Sequence, residues 1–566
     1  MRRGLALLLT GLALLVGMPA KAADNAAVCV VSTKANQAFL EELKGDLRKG
    51  VSAWLAAAAE LALPARVIGE YELGGPINDC RLLVLHLSYR LSDAQVEVIE
   101  RYYADGGSLL LVGLPGKYTE TGGFRQEALT DRLLGLTNSR PFTPKEAQSS
   151  FFQVATVNPA SLVLEPGLRM ELDWSGTYWM ADVASPGAFL TDWGMYPTTE
   201  RDATRTALMA FKDAELGRVA WMGFSPEAVL PSPDPTAGPV LARSVLAWAA
   251  GIPMAAKGWW PAGAPAVAVI GTDIGYEPVV PQHLAAAYVK EGFKGSFFLA
   301  ATSTPELAGT LAALASAGSV GTSGVAQLPL KDMALEAQVA EMEQARKNLQ
   351  AAGLGTVSGF RLPEEAWDAQ TPTAAAKAGY DFIYGNSSFD RAWPLRYEVE
   401  GKVLWHFARI IPDYYGAGPE ASEGDFVKAF GLEAGRLIRL GGLLVLNFDA
   451  KLLGDPESTG LASLLFKWLR DQHLKLASFQ ELTAWLAARE QVKLTATPGR
   501  ASMELTLTNQ SSGFIKQFPV VYAPPVPKKP EIIRGAEGVT VGERSGPGFV
   551  LLVDLAPFET KKLLVR

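Results

Sequence analysis

Charged side chains gather in this chain where apolar runs break into polar turns. Val269-Ile270-Gly271-Thr272-Asp273-Ile274-Gly275 is one such run, and Gly359-Phe360-Arg361-Leu362-Pro363-Glu364 is another. Each reads as a strand that ends in a loop, and so brings Asp273 or Arg361 to a strand end, where sites are commonly built. A carboxylate there could act as a general base. With an ordinary pKa of about 3.9 it is nevertheless a weak base toward unactivated water. Hydrolysis therefore needs a divalent cation, which lowers the pKa of bound water from about 15.7 to about 7. The alternative is a second carboxyl about 5 to 9.5 Å away, the arrangement that cleaves glycosidic bonds. Asp273, Glu277, Glu364 and Asp449 are the acids from which such a pair could be drawn.

Four histidines occur, at His86, His283, His406 and His473. His86 sits in an apolar strand and the second and fourth sit at helix ends, which suits structural or solvated roles. His406, in Val403-Leu404-Trp405-His406-Phe407-Ala408-Arg409, is the one placed to reach a cleft from a strand. A lone histidine on an apolar strand is otherwise a satisfied core residue. Tyr276, Trp367, Tyr414 and Tyr415 offer rings that match the apolar face of a pyranose, or that simply pack the loops. Asp413 joins the same set of strand-end loops.

The two strand-turn stretches resemble the first and third motifs of polysaccharide deacetylases, carbohydrate esterase family four, the NodB homology domain. The resemblance implies that Asp273 stands at the general-base position and that Arg361 pairs with it and orients it. It also implies what is missing. The family's first motif continues with a second Asp, a metal ligand, where this chain has Ile274. Its second motif places two metal-binding His four apart, where Gly318-Ser319-Val320-Gly321-Thr322-Ser323-Gly324-Val325-Ala326-Gln327 presents Ser323 and Gln327. Its late catalytic His has no counterpart in Leu443-Leu444-Val445-Leu446-Asn447-Phe448-Asp449, although Asp449 ends that strand. An aliphatic, a hydroxyl and a carboxamide do not make a zinc site, because none brings charge or a nitrogen ligand. No metal or other cofactor is expected.

The elements that would position these residues alternate strand with helix. Strands at 28–32, 66–70, 81–87 and 108–114, helices at about 36–61 and 93–103, and a late strand at 217–224 before a helix at 240–250 predict a doubly wound parallel sheet over 23–255. This part resembles glutamine-amidotransferase-like, flavodoxin-like domains, with Tyr102-Tyr103-Ala104-Asp105-Gly106-Gly107-Ser108 as the helix-to-strand turn. Neither cysteine stands where those enzymes place a nucleophile, so an assembly role is expected. The linker Gly258-Trp259-Trp260-Pro261-Ala262-Gly263-Ala264-Pro265 follows. A deacetylase-like distorted (β/α) barrel is expected at 265–490 and a small β-sandwich at 491–566, where alternation replaces helical spacing.

The 566 residues suit several domains, and a net charge of -7 without a basic run argues against a nucleic-acid groove. Met1-Arg2-Arg3, an apolar stretch from Gly4 to Met18 and the small-residue end Ala20-Lys21-Ala22 fit a signal peptide over 1–22. A periplasmic or secreted protein follows, with no membrane span beyond that segment. Cys29 and Cys80 are the only cysteines. Adjacent parallel strands could bring them into bridging range, and two buried thiols are the alternative.

The leading expectation is an exported, catalytically inactive deacetylase-like protein that binds or positions an envelope polysaccharide or oligosaccharide. A working deacetylase or carboxylate-based glycan hydrolase is the second possibility. The third is a scaffold for envelope protein partners in polysaccharide synthesis or export.

Overall fold

The computed structural model describes residues 27–566 apart from 76, 78, 145–150, 155–157, 159–161, 163, 165–169, 185, 191–205, 215–216, 231–236, 275–279, 386–392, 409, 413–422, 440, 451–458, 473, 500–501 and 546–547. The expected signal peptide lies outside the described residues. No helix among the described residues is long and apolar enough to cross a membrane.

The first unit is a mixed sheet whose parallel half runs in the order Ala65–Ile68, Ala27–Val31, Cys80–His86, Ser108–Val112, Arg218–Met222. Successive side chains on these strands enter different cores. Val28, Val30, Leu82 and Val84 face one, while Cys29, Val31, Leu83 and Leu85 face the other. Burial on both faces is what apolar strands without polar alternation require. Beyond Arg218–Met222 the sheet continues through antiparallel strands Met209–Asp213, Pro186–Leu190, Phe151–Val154 and Met170–Glu171.

The single helix expected at 36–61 is two, Lys34–Glu42 and Leu47–Glu60. Lys44 takes φ 60 and the Asp46 carboxylate accepts from the Arg48 backbone N–H, so the chain breaks and starts a fresh helix there. Cys29 and Cys80 are joined by a disulfide across neighbouring strands, 5.7 Å apart at Cα.

The second unit is a strand-helix repeat around a ladder in the order Leu395–Val399, Lys402–Phe407, Phe382–Tyr384, Gly359–Arg361, Gly318–Thr322, Gly295–Leu299, Val267–Ile274, Leu443–Asp449, Ile410–Pro412. All of these pairings are parallel except the first. That exception is a hairpin closed by Glu400 and Gly401, both at positive φ, the backbone demanded by a tight two-residue turn. Lys475–Ala477 pairs with the start of Val267–Ile274. Among the described residues the two outer strands of the ladder do not pair with each other.

Two four-stranded sheets form the last unit, Val492–Pro498, Met503–Asn509, Thr560–Val565 and Ile532–Arg534 in one, and Ile515–Ala523, Gly548–Leu555, Val539–Ser545 and Met254–Lys257 in the other. Leu505, Leu507, Phe518, Val520, Leu551 and Leu563 share one core. The edge strand Met254–Lys257 comes from before the deacetylase-like region and pairs with Ile515–Ala523. The last unit is therefore completed by a segment some 230 residues earlier than its expected start at 491. The Arg218 guanidinium, paired with Asp213, also donates to the Pro524 carbonyl at 2.7 Å, and Arg544 reaches Asp213 at 2.6 Å, tying the first unit to the last.

Candidate functional site

Strand Val267–Ile274 is paired on both sides in its sheet and almost wholly buried, and Asp273 stands near its C-terminal end with its side chain 34% exposed. The register sets Asp273 beside Phe298 on one neighbour and Asp449 on the other. Arg361, at the end of Gly359–Arg361, reaches across to it. Its Nε donates to the two Asp273 carboxylate oxygens at 3.2 and 3.3 Å. The rest of the guanidinium is equally engaged. Nη1 donates to the Leu362 carbonyl at 2.8 Å, Nη2 meets Glu365 Oε1 at 2.6 Å, and the group lies 4.8 Å from the centre of the Tyr384 ring. Burial opposes the Arg361 charge, yet Asp273 and Glu365 outweigh it and push its pKa up.

Three residues of this cluster had not been singled out from the sequence. Glu365, rather than Glu364, meets Arg361. Both glutamates take left-handed backbone, at φ 52 and 55, and this turns Glu364 out to solvent and Glu365 in. Two adjacent non-glycine residues in that region mark a conformation held by its surroundings. Tyr384 packs on Arg361 and donates its hydroxyl to Asn447 Oδ1 at 2.5 Å. Asn447 Nδ2 in turn donates to Asp273 Oδ2 at 3.3 Å. Burial raises the Tyr384 pKa well above its ordinary value, so it remains a donor. The one sequence signal for this arrangement is Gly271, since a Cβ there would stand 2.6 Å from the Tyr384 ring.

The positions that the resemblance assigns to metal ligands are occupied otherwise. Ile274 is 1% exposed in the apolar core. Ser323 is buried in a turn held by its own N–H to the Leu299 carbonyl at 2.8 Å and by the Gly324 N–H to Thr322 Oγ1 at 3.1 Å. Gln327, at φ 54, donates from Nε2 to Ser323 Oγ at 2.9 Å. One carboxylate already accepting from Arg361 and Asn447, with a neutral hydroxyl, a neutral amide and an alkyl group, does not fit a zinc-type ion. Among the described residues no group of three His, Cys, Asp or Glu could hold a metal ion.

The remaining candidates are scattered. Asp449 ends its strand in register with Asp273. Trp367 is half-buried and sets its ring edge-on to His406 at 5.0 Å. His406 is fully buried between Trp367 and Tyr397, with Nε2 2.8 Å from the Gly385 carbonyl, and burial pushes its pKa down to about 4. It is a neutral core residue and does not open to a cleft. Tyr276, Glu277 and Asp413, with Tyr414 and Tyr415, lie outside the described residues.

Residues 263–383 match the family model for polysaccharide deacetylase. Among solved structures, a putative polysaccharide deacetylase from Mycobacterium smegmatis is 15% identical with a TM-score of 0.37, over 41% of this chain and 94% of that one. Agd3, a carbohydrate deacetylase, is 10% identical with a TM-score of 0.43, over 95% of this chain and 98% of that one. BA3943, a CE4 family pseudoenzyme from Bacillus anthracis, is 12% identical with a TM-score of 0.29, over 38% and 65%. No curated protein matches the chain.

Proposed function

We propose that the polysaccharide deacetylase-like region of this chain works without a catalytic cation, holding a polysaccharide at its strand ends and leaving any acetyl groups in place. The observation that carries this reading is the set of side chains around Asp273: alkyl, hydroxyl and carboxamide at the three ligand positions, with the carboxylate held by Arg361 and Asn447. Deacetylation needs an activated water, and none of these groups supplies the charge that would acidify one. The same groups suit binding. Asp273 and Glu365 are each about a third exposed and accept hydrogen bonds, and Arg361 fixes both acids at no cost in mobility.

Export is part of the proposal. The Cys29–Cys80 disulfide supports it, because such bonds persist in oxidising compartments. So does the N-terminal pattern of a basic start, an apolar stretch and small residues.

The test is acetate release from acetylated chito-oligosaccharides and cell-wall glycan, with and without added zinc, beside a direct binding measurement on the same glycans. Binding without turnover is expected. Turnover that Asp273→Asn abolishes would refute the reading.

A second reading is favoured by one observation, the register of Asp273 against Asp449 on adjacent strands. Two acids on adjacent strands in register are candidates for the carboxyl pair that cleaves a glycosidic bond without metal. Fragmentation of a glycan that disappears in both Asp273→Asn and Asp449→Asn would establish it.

A further inference from the structure

The linker that joins the three units also shapes a cleft remote from Asp273. Lys257 Nζ donates to the Arg489 and Val492 carbonyls at 3.2 and 2.9 Å, and Arg489 Nε donates to the Gly258 carbonyl at 2.8 Å. The Arg489 guanidinium lies 3.5 Å from the centre of the Trp259 ring. These contacts clamp the end of helix Phe479–Glu490 onto the linker. Beside the clamp is a cavity of about 570 Å³ walled by Trp259, Trp393, Trp405, Lys257, Arg396 and Glu490. A second cavity of about 750 Å³ shares Lys257, Trp259 and Glu490 with it.

The cleft lies along the outer face of the hairpin Leu395–Val399 and Lys402–Phe407. Val403 and Trp405 line it, while Leu404 and His406, which alternate with them, are fully buried. Val403 is the second residue of a strand that runs parallel to its neighbour Phe382–Tyr384, so the cleft opens toward the N-terminal strand ends, opposite the end that holds Asp273.

Two features of this cleft suit a ligand. Trp393 is 4% exposed, and its indole N–H has no acceptor among the described residues. A buried donor left unmade costs about 1 to 3 kcal/mol, which an acceptor from outside the chain would relieve. At the rim Arg396 Nε and Glu490 Oε1 meet at 2.6 Å, presenting a planar donor and a planar acceptor side by side. The volume is that of a small-molecule site, and three indoles with a few placed polar groups match the composition of one.

We propose that this cleft is a second carbohydrate subsite, which takes a neutral or weakly anionic pyranose chain. The half-buried Trp259 ring meets the C–H face of the sugar over a floor of buried Trp393 and Trp405, its hydroxyls reach Arg396, Glu490 and the Trp393 N–H, and the adjoining cavity receives the next residue of the chain. Lys257, Arg396 and Arg489 against Glu398 and Glu490 leave one positive charge in excess. The choice of ligand rests on the polysaccharide reading above, and not on the absence of a metal at Asp273.

The experiment is calorimetric titration of the full chain with β-1,4-linked N-acetylglucosamine hexamer and with its de-N-acetylated form, read together with tryptophan fluorescence. Trp393→Phe keeps an aromatic ring, though a smaller one, and removes the N–H, and Arg396→Gln alters the rim. Each should weaken binding about tenfold and reduce the fluorescence change. Binding unaffected by either cleft variant but lost in Asp273→Asn would overturn the second subsite and leave the strand-end reading standing. Binding of a proline decapeptide in place of both sugars, or of none of the three, would overturn it as well.

Discussion

The side-chain amide of Gln327 donates to the hydroxyl of Ser323 across 2.9 Å, so the two positions that the resemblance assigns to imidazole ligands still converge. Only the donor atoms have changed. Ile274→Asp, Ser323→His and Gln327→His together should therefore create a stoichiometric zinc site beside Asp273. Because Ile274 is 1% exposed, the new acid is buried and uncompensated in the metal-free variant, which should melt well below the parent. Zinc should restore the melting temperature by binding only the folded chain. A variant that zinc neither binds nor stabilises would show that the positions do not converge on a common point.

Arg361 pairs with both Asp273 and Glu365. Removing one member of a buried ion pair costs about 3 to 5 kcal/mol, and the partial exposure of both acids reduces this. Arg361→Ala should cost about 2 kcal/mol in urea unfolding. Arg361→Lys should fall between, since a point charge cannot address two carboxylates and the Leu362 carbonyl at once. A loss below about 0.5 kcal/mol for Arg361→Ala would contradict the geometry.

Burial pushes His406 down to about 4 from its ordinary 6.5. The unfolded chain then takes up this proton before the folded one does. The stability that neutral His406 contributes is full above pH 6.5 and is lost as pH falls toward 4. The loss is on the order of 3 kcal/mol. His406→Gln, which keeps a donor for the Gly385 carbonyl, should flatten the melting-temperature profile over that range. An unchanged acid limb would mean that His406 titrates normally.

Closing a chain separation of 51 residues, the Cys29–Cys80 disulfide restricts the unfolded state. The chain-entropy estimate is about 4 kcal/mol at most. Reduction, or Cys29→Ala with Cys80→Ala, should lower the first unit's melting temperature and leave the Asp273 site unchanged. Equal melting of oxidised and reduced protein would place the stability of that sheet wholly in its two cores.

Asp273 and Arg361 were legible in the sequence because each ends an apolar run, and such a run fixes both the strand and the end that carries the polar residue. Glu365 was not, because the choice between it and Glu364 depends on two left-handed backbone turns that no side-chain pattern announces. Asn447 and Tyr384 were hidden for a different reason. Their meeting is set by the register of strands 63 residues apart in sequence, which only the assembled sheet determines. The break in the first long helix was missed because apolar spacing continues across Lys44 and Asp46 while the backbone does not. The strand Met254–Lys257 was not expected at the boundary drawn at 255, since four residues of mixed character become a strand only against Ile515–Ala523.

Metal content bears most directly on the central claim. The full chain would be purified, dialysed against micromolar zinc and assayed for bound metal, beside Asp273→Asn. A site of hydroxyl, amide and alkyl groups requires that both proteins hold far less than one ion per chain and that neither is stabilised by zinc. One tightly held ion per chain that is lost in Asp273→Asn would contradict it.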